Sequence, residues 1–294
     1  MIIHDFKSQR KRLFAFCEKI YLSMQLTSIY NQMKGNNYCP YEISEESQQR
    51  RSPMRLSDLS GMFKKSTASF IRLENPMDDY YLVYLKPAEG TTWTPGEHAA
   101  FRLPHSGIKG RNFRAFSLAS VPEEGHILLG TRTGAQASAY KKRLLGLQPG
   151  DPVIVHGPFG WFKLRDDTSP IVMFAAGVGI TPIRALLLQL SKSMPRPIEL
   201  VYASEKHYLF ENEIDALAAS MPHLKIIKTS DIESTQSSIR SGAEKFGNSA
   251  FYYISAAPGV ILSTKKLLSE CGIKRRRRIY DPFFGYSSKG KRKT

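Results

Sequence analysis

The segment Ala176-Gly177-Val178-Gly179-Ile180-Thr181-Pro182 joins an apolar β run, Ile171–Ala175, to a helical run, Pro182–Ser191. Where a strand feeds a helix, free backbone N–H groups and the positive end of the helix dipole converge, and both favour anions such as phosphate. The glycines allow a tight turn and close approach of a ligand, Thr181 is expected to cap the helix, and Pro182 suits its first turn. The same glycine pair also serves as a plain turn, so its chemistry depends on what the fold brings to it. A second set, Arg114-Ala115-Phe116-Ser117, places a cation, an aromatic ring and a hydroxyl on one predicted strand. Alternation sends Arg114 and Phe116 to one face and Ser117 to the other.

The elements around these residues change character along the chain. Between about 61 and 165 the runs Ala68–Leu73, Tyr80–Leu85, His98–Leu103, Phe113–Leu118, Ile127–Thr133 and Pro152–His156 are β-rich and separated by Pro- and Gly-bearing turns. That pattern predicts a small antiparallel barrel, interrupted by one helix over Ala137–Leu145. From 166 to 294 apolar β runs (Ile171–Ala175, Ile198–Ala203, Leu224–Thr229, Phe251–Ala256) alternate with helical ones (Pro182–Ser191, Glu211–Ser220, Ser238–Phe246, Val260–Cys271). Such alternation implies βαβ units around a parallel sheet. Residues 1–60 read as an extension outside both, with one amphipathic helix between Phe6 and Met33 carrying Leu13, Cys17, Ile20 and Met24. That helix suits packing on the body of the protein, dimerisation or docking, and leaves a peripheral membrane role open.

Composition excludes several classes. The chain has 294 residues, 41% apolar and 23% charged, enough to build two ordinary cores and unlike a disordered or fibrous chain. The apolar stretch Ile171–Leu190 is broken by Gly177, Gly179, Pro182 and Arg184, so no membrane-spanning helix is predicted. No signal-peptide pattern follows the charged N-terminus, which favours the cytoplasm. The 3 cysteines lack metal-ligand spacing, so neither a disulfide framework nor a metal site is expected, and any iron–sulfur centre would sit on a partner. The net charge of +16 is concentrated at the C-terminus, where Lys274, Arg275 to Arg278, Lys289, Lys291, Arg292 and Lys293 stand against Asp281 alone. Such a run attracts an acidic protein, anionic lipid or nucleic acid, or simply aids solubility. Nucleic acid is disfavoured, because no aromatic stacking platform is interleaved.

Taken in order, the motifs resemble those of the ferredoxin-NADP reductase superfamily over about residues 61 to 286. Arg114-Ala115-Phe116-Ser117 resembles its R-x-[YF]-S flavin motif, and Gly134 to Ser138 its second flavin-phosphate segment. Gly157-Pro158-Phe159-Gly160 is similar to the turn that closes its barrel, Gly177 to Pro182 to its pyridine-nucleotide loop, and Ile279 to Tyr286 to its closing segment. The resemblance implies an antiparallel β-barrel holding FAD, followed by a Rossmann-like α/β domain holding NADPH or NADH. In that frame Arg114 pairs with the flavin diphosphate, Phe116 stacks on the isoalloxazine, and Ser117 bonds near its N5. Ala115 and Thr131 join the flavin site, with Gly134, Ala137 and Ser138 toward phosphate. Gly177, Gly179, Thr181 and Pro182 hold the dinucleotide, and Phe284 closes the flavin site.

Three residues depart from the family pattern. Ser255, in Ser255-Ala256-Ala257-Pro258, stands where relatives carry a cysteine, Asp281 where they often carry glutamate, and Phe116 where tyrosine is more common. Ser117, Ser255 and Asp281 are the expected catalytic set. After the second strand of the α/β domain, Glu205 suits the free ribose hydroxyls of NADH, whereas Ser204, Lys206 or His207 suits the extra phosphate of NADPH; the sequence leaves the choice open, as it does the oligomeric state. The resemblance implies an NAD(P)H-dependent flavoprotein reductase that passes electrons to a separate acidic carrier, a ferredoxin, flavodoxin or oxygenase component. A contrasting reading keeps the fold as a non-catalytic binding or regulatory subunit whose basic tail holds an acidic partner or nucleic acid.

Overall fold

A computed structural model of the chain describes residues 61–104, 112–134 and 137–281. The predicted N-terminal helix, Phe284 and the tail beyond 281 lie outside the described residues.

Six strands form the first sheet: β1 (Lys65–Met77), β2 (Tyr80–Lys86), β3 (His98–Arg102), β4 (Phe113–Ser117), β5 (Ile127–Arg132) and β6 (Pro152–Phe159). Their order is β4-β3-β6-β1-β2-β5 and every pairing is antiparallel. The sheet curls into a half-barrel whose edges meet just past β4, where the Ala119 N–H donates to the Leu128 carbonyl of β5 at 2.8 Å. Alternate residues point inward: Ala68 and Phe70, Val83 and Leu85, Ala99 and Phe101, and Val153 and Val155 share one buried cluster with Trp93. Each large buried member contributes roughly 1.5–3 kcal/mol relative to exposure. Helix α1 (Ala139–Leu145) lays Tyr140 and Leu144, four residues apart and both buried, on this core. The Tyr140 hydroxyl donates to the Phe101 carbonyl at 2.9 Å. The predicted start at Ala137 moves to Ala139, because the Ser138 side chain caps the helix by accepting the Lys141 N–H.

The second sheet is wholly parallel, with β7 (Ile171–Ala176), β8 (Ile198–Ala203), β9 (Leu224–Thr229), β10 (Phe251–Ser255) and β11 (Arg278–Tyr280) in the order β11-β10-β7-β8-β9. Helices α2 (Ile180–Leu190), α3 (Glu211–Ser220), α4 (Ile232–Phe246) and α5 (Pro258–Glu270) complete the crossovers. In β7, Ile171, Met173 and Ala175 enter the core shared with α2, whereas Val172 and Phe174 enter the one shared with α4 and α5. Burial on both faces explains why this strand reads as an unbroken apolar run. From β7 the chain steps outward through β8 and β9, then returns to β10 on the other side of β7. A crevice opens at such a reversal, outside the carboxyl ends of the strands.

Two predicted boundaries are corrected. Helix α4 begins at Ile232, six residues before the predicted Ser238, because the Asp231 carboxylate caps it by accepting the Ser234 N–H at 2.8 Å. Thr181 caps nothing: Gly177–Gly179 already winds as a 3-10 turn, so α2 starts at Ile180, and the Thr181 hydroxyl donates back to the Val178 carbonyl at 3.0 Å. Strand β11, too short to carry a periodic pattern, was not among the predicted strands.

Candidate active site

Three residues distant in sequence meet where the sheets adjoin. Ser117 ends β4 of the half-barrel, Ser255 ends β10 of the parallel sheet, and Asp281 directly follows β11. Both serine hydroxyls donate to the same carboxylate oxygen, Asp281 Oδ2, at 2.8 Å from Ser117 and 3.1 Å from Ser255. The Asp281 N–H extends the sheet by donating to the Ile254 carbonyl at 2.9 Å. Asp281 is only 1% exposed, and its other oxygen, Oδ1, is buried with no hydrogen-bond partner among the described residues. Burial pushes its pKa up to about 6, against the pull of the two serine hydroxyls. A carboxyl shifted in that direction holds its proton to higher pH than an ordinary one.

Beside this joint lies a cleft of about 600 Å³, walled by the ends of β7, β8, β9 and α5 on one side and by Tyr80, Arg132, Gly134 and Lys141 of the half-barrel on the other. Gly177 has φ +53°, a left-handed conformation that lets the chain leave β7 and turn at once into α2. Gly179 is required by packing: a Cβ there would lie 2.1 Å from the Ser255 carbonyl oxygen, so the loop presses directly on the end of β10. The two faces of the cleft are held in register by Arg184 of α2. Its guanidinium, 6% exposed, binds Glu124 of the half-barrel and Glu213 of α3, each through both carboxylate oxygens, and donates to the Ala119 carbonyl at 2.7 Å.

The other predicted residues that the structure describes lie as follows. Arg114 and Phe116 both face Tyr140, with the Arg114 guanidinium 5.7 Å from the Tyr140 ring centre and the Phe116 ring 6.3 Å from it, while Ser117 points the other way to Asp281. The predicted alternation along β4 therefore holds. Phe116 also packs edge-on against Phe101 at 6.0 Å, so its ring is already half enclosed by protein. Among the described residues no carboxylate is paired with Arg114, whose guanidinium donates to the Phe113 carbonyl. Ala115 pairs with Ala100 across the strands, Thr131 is buried in β5, and Ala137 and Ser138 precede α1. Pro182 is buried in the first turn of α2. Ser204 lines the cleft, whereas Lys206 is exposed and is not part of its wall.

Sequence reasoning missed Arg132, Lys141, Arg184 and Asp231. Only Asp231 carried a local signal, an Asp before an apolar helical residue and a Ser three positions on, which marks a helix start. Arg184 announced itself only as an interruption of an apolar run, since its partners lie 60 and 29 residues away.

The half-barrel and the parallel sheet thus adjoin at a cleft by the strand reversal, with a buried carboxyl at the seam. Residues 173–246 match the family model of the oxidoreductase NAD-binding domain. The flavohemoprotein of Deinococcus radiodurans is 24% identical over 221 residues, covering 68% of this chain and 54% of that protein. The toluate 1,2-dioxygenase electron transfer component of Pseudomonas putida is 29% identical over 134 residues, covering 44% of this chain and 38% of that one. Among solved structures, the ferredoxin reductase in carbazole 1,9a-dioxygenase superposes with a TM-score of 0.64 at 17% identity, over 75% of this chain and 68% of that chain. The chain spans about half or less of the length of the curated relatives it matches. In fold the chain is similar to ferredoxin reductase-like proteins, and within its parallel-sheet half residues 173–246 match an oxidoreductase NAD-binding domain.

Proposed function

We propose that this chain carries a hydride from a nicotinamide dinucleotide to FAD and passes the electrons on, one protein to another, to a separate carrier. The observation that carries the reading is the convergence of Ser117 from the half-barrel and Ser255 from the parallel sheet on one oxygen of Asp281. It supports a reaction centre shared by the two halves, which is where one dinucleotide would have to meet the other.

The residues present fit FAD: Arg114 is a cation with no acid paired to it among the described residues, and Asp281 Oδ1 is a buried acceptor awaiting a partner. In this reading Arg114 holds the diphosphate by charge-assisted hydrogen bonds, helped by backbone N–H groups at Ala137 and Ser138, while Gly134, whose N–H donates to Asp79 Oδ2 at 2.9 Å, shapes the turn before them. Phe116, Ala115 and Thr131 line the flavin side, and Phe284 is assigned to the same site. Gly177, Gly179, Thr181 and Pro182 form the floor on which the dinucleotide lies. FAD when bound supplies the conversion of a two-electron donor into one-electron steps. Ser117 orients the ring edge, while Ser255 and Asp281 position the nicotinamide side and hold or release a proton at Asp281 Oδ1.

The toluate dioxygenase relative is an electron transfer component, and this supports a partner protein as acceptor here. The basic surface, which includes exposed Lys274, Arg275 and Arg276, suits an acidic partner. No described helix is long and apolar enough to cross a membrane. We assign the chain to the cytoplasm, with 61–165 as the FAD-binding domain and 166–294 as the NAD(P)-binding domain.

An anaerobic absorbance spectrum before and after NADH, then NADPH, tests the proposal. Flavin bands that bleach with a nicotinamide dinucleotide support it. A colourless protein that takes up no FAD, or a flavin that neither nucleotide reduces, sinks it in favour of a binding or regulatory role.

A further inference from the structure

The residues at the adenosine end of the cleft bear on a choice the sequence leaves open, provided that the cleft holds a nicotinamide dinucleotide as proposed above. Three side chains after β8 suit the 2′-phosphate of NADPH, and the structure diverts each of them. The Ser204 hydroxyl donates to the His207 carbonyl within its own turn. The His207 ring pairs with Asp78 of the half-barrel, Nε2 to Oδ2 at 3.1 Å. Lys206 is exposed and stands outside the cleft wall. Glu205, between Ser204 and Lys206, does line the cleft.

The next strand end repeats the pattern. Asp231, which follows β9, also lines the cleft. Its two oxygens accept the Ser234 N–H at 2.8 Å and the Ser234 hydroxyl at 2.6 Å, so the positive end of α4 is already occupied by a carboxylate. Lys228, the nearest lysine on β9, is held by Glu211 at 2.7 Å and Asp215 at 2.8 Å and is not part of the wall. The cations that do line the cleft, Arg132 and Lys141, come from the opposite, half-barrel side. Arg132 is bound by Asp79, with Nε 2.8 and 3.0 Å from its two oxygens.

We infer that the cleft selects NADH over NADPH, with Glu205 accepting hydrogen bonds from the adenosine ribose hydroxyls and Asp231 adding like-charge repulsion against a 2′-phosphate. A carboxylate accepts from free hydroxyls but has no donor to offer a phosphate, and two carboxylates near a doubly charged group disfavour it at short range.

Calorimetric titration of the 294-residue chain with NAD+ and NADP+ provides the test, read independently of turnover. NAD+ is expected to bind at least about tenfold more tightly. The double variant Glu205→Gln, Asp231→Asn keeps shape and helix cap while removing both charges, and it should narrow that ratio to within about threefold. Circular dichroism on the same sample verifies that it is folded. Equal or tighter binding of NADP+ by the unaltered protein overturns the inference while leaving the dinucleotide cleft intact, as does a double variant with an undiminished ratio. Binding of neither dinucleotide overturns the inference together with the reading of the cleft on which it rests.

Discussion

Two buried charges tie the half-barrel to the parallel sheet, and they are built on opposite principles. Arg184 is compensated on every side: Glu124 and Glu213 each grip it with both oxygens, and the Ala119 carbonyl takes a further N–H. Asp281 is deeper, yet no cation is paired with it among the described residues; it has two neutral hydroxyls on one oxygen and nothing on the other. A buried carboxylate without a counter-charge costs stability, so packing alone gives no reason to keep one. The contrast separates a joint that is fully paired from one whose buried carboxyl keeps an oxygen without a partner among the described residues.

The largest effect should come from the compensated joint. Arg184→Met leaves Glu124 and Glu213 facing each other across an apolar side chain, and unfolding by denaturant should show a loss of about 3–5 kcal/mol. A loss below about 1 kcal/mol would mean that Arg184 is not what orients the two sheets.

Asp281 should show itself through pH. Its folded pKa, about 6, stands above the ordinary carboxylate value of 3.8, so the folded state binds the extra proton between those limits. Stability is then highest below about pH 4 with respect to this group, and falls as the pH rises to about 6, by about 3 kcal/mol in all. Asp281→Asn removes that slope and is expected to be the more stable protein at pH 7, while its rate of flavin reduction by nicotinamide dinucleotide falls at least about tenfold. Parallel pH profiles of stability for the two proteins would break the assignment of a proton-exchanging role.

How much of this was legible in sequence follows from the range of the forces involved. The β runs and most helices could be read because periodicity is local, and Ser117, Ser255 and Asp281 were singled out through motifs that resemble a known family. Their meeting was not legible from spacing, since 164 residues separate Ser117 from Asp281. Thr181 misled because a hydroxyl before a proline looks like a helix cap, whereas the preceding glycine turn had already begun to wind. For Ser204 and Lys206 residue type alone suggested phosphate; sequence could not show that the Ser204 hydroxyl bonds the His207 carbonyl or that Lys206 stands outside the cleft wall.

The loop between the two joints offers a smaller and more local test. At Gly179→Ala the new Cβ would sit 2.1 Å from the Ser255 carbonyl oxygen, a backbone atom that cannot swing aside. The loop or the end of β10 must move, at a cost of about 1–3 kcal/mol in stability. Because Ser255 also holds Asp281, the pH-dependent slope assigned to Asp281 should change with it. An unshifted slope would show that the glycine loop and the carboxyl are mechanically independent.

The smallest effect belongs to a third crossing, the pair between His207 after β8 and Asp78 of the half-barrel, with 45% and 59% of the respective side chains exposed. Water solvates both partners before and after the contact forms, so the gain is slight and salt screens what remains. Asp78→Asn should therefore change unfolding free energy by less than about 0.5 kcal/mol, and less still in high salt. A loss comparable to that of Arg184→Met would mean that the halves are held by their exposed rims, and the distinction between a compensated and an uncompensated buried joint would lose its force. A near-zero loss, beside a large one at Arg184, would leave burial with full pairing as the feature that fixes the cleft.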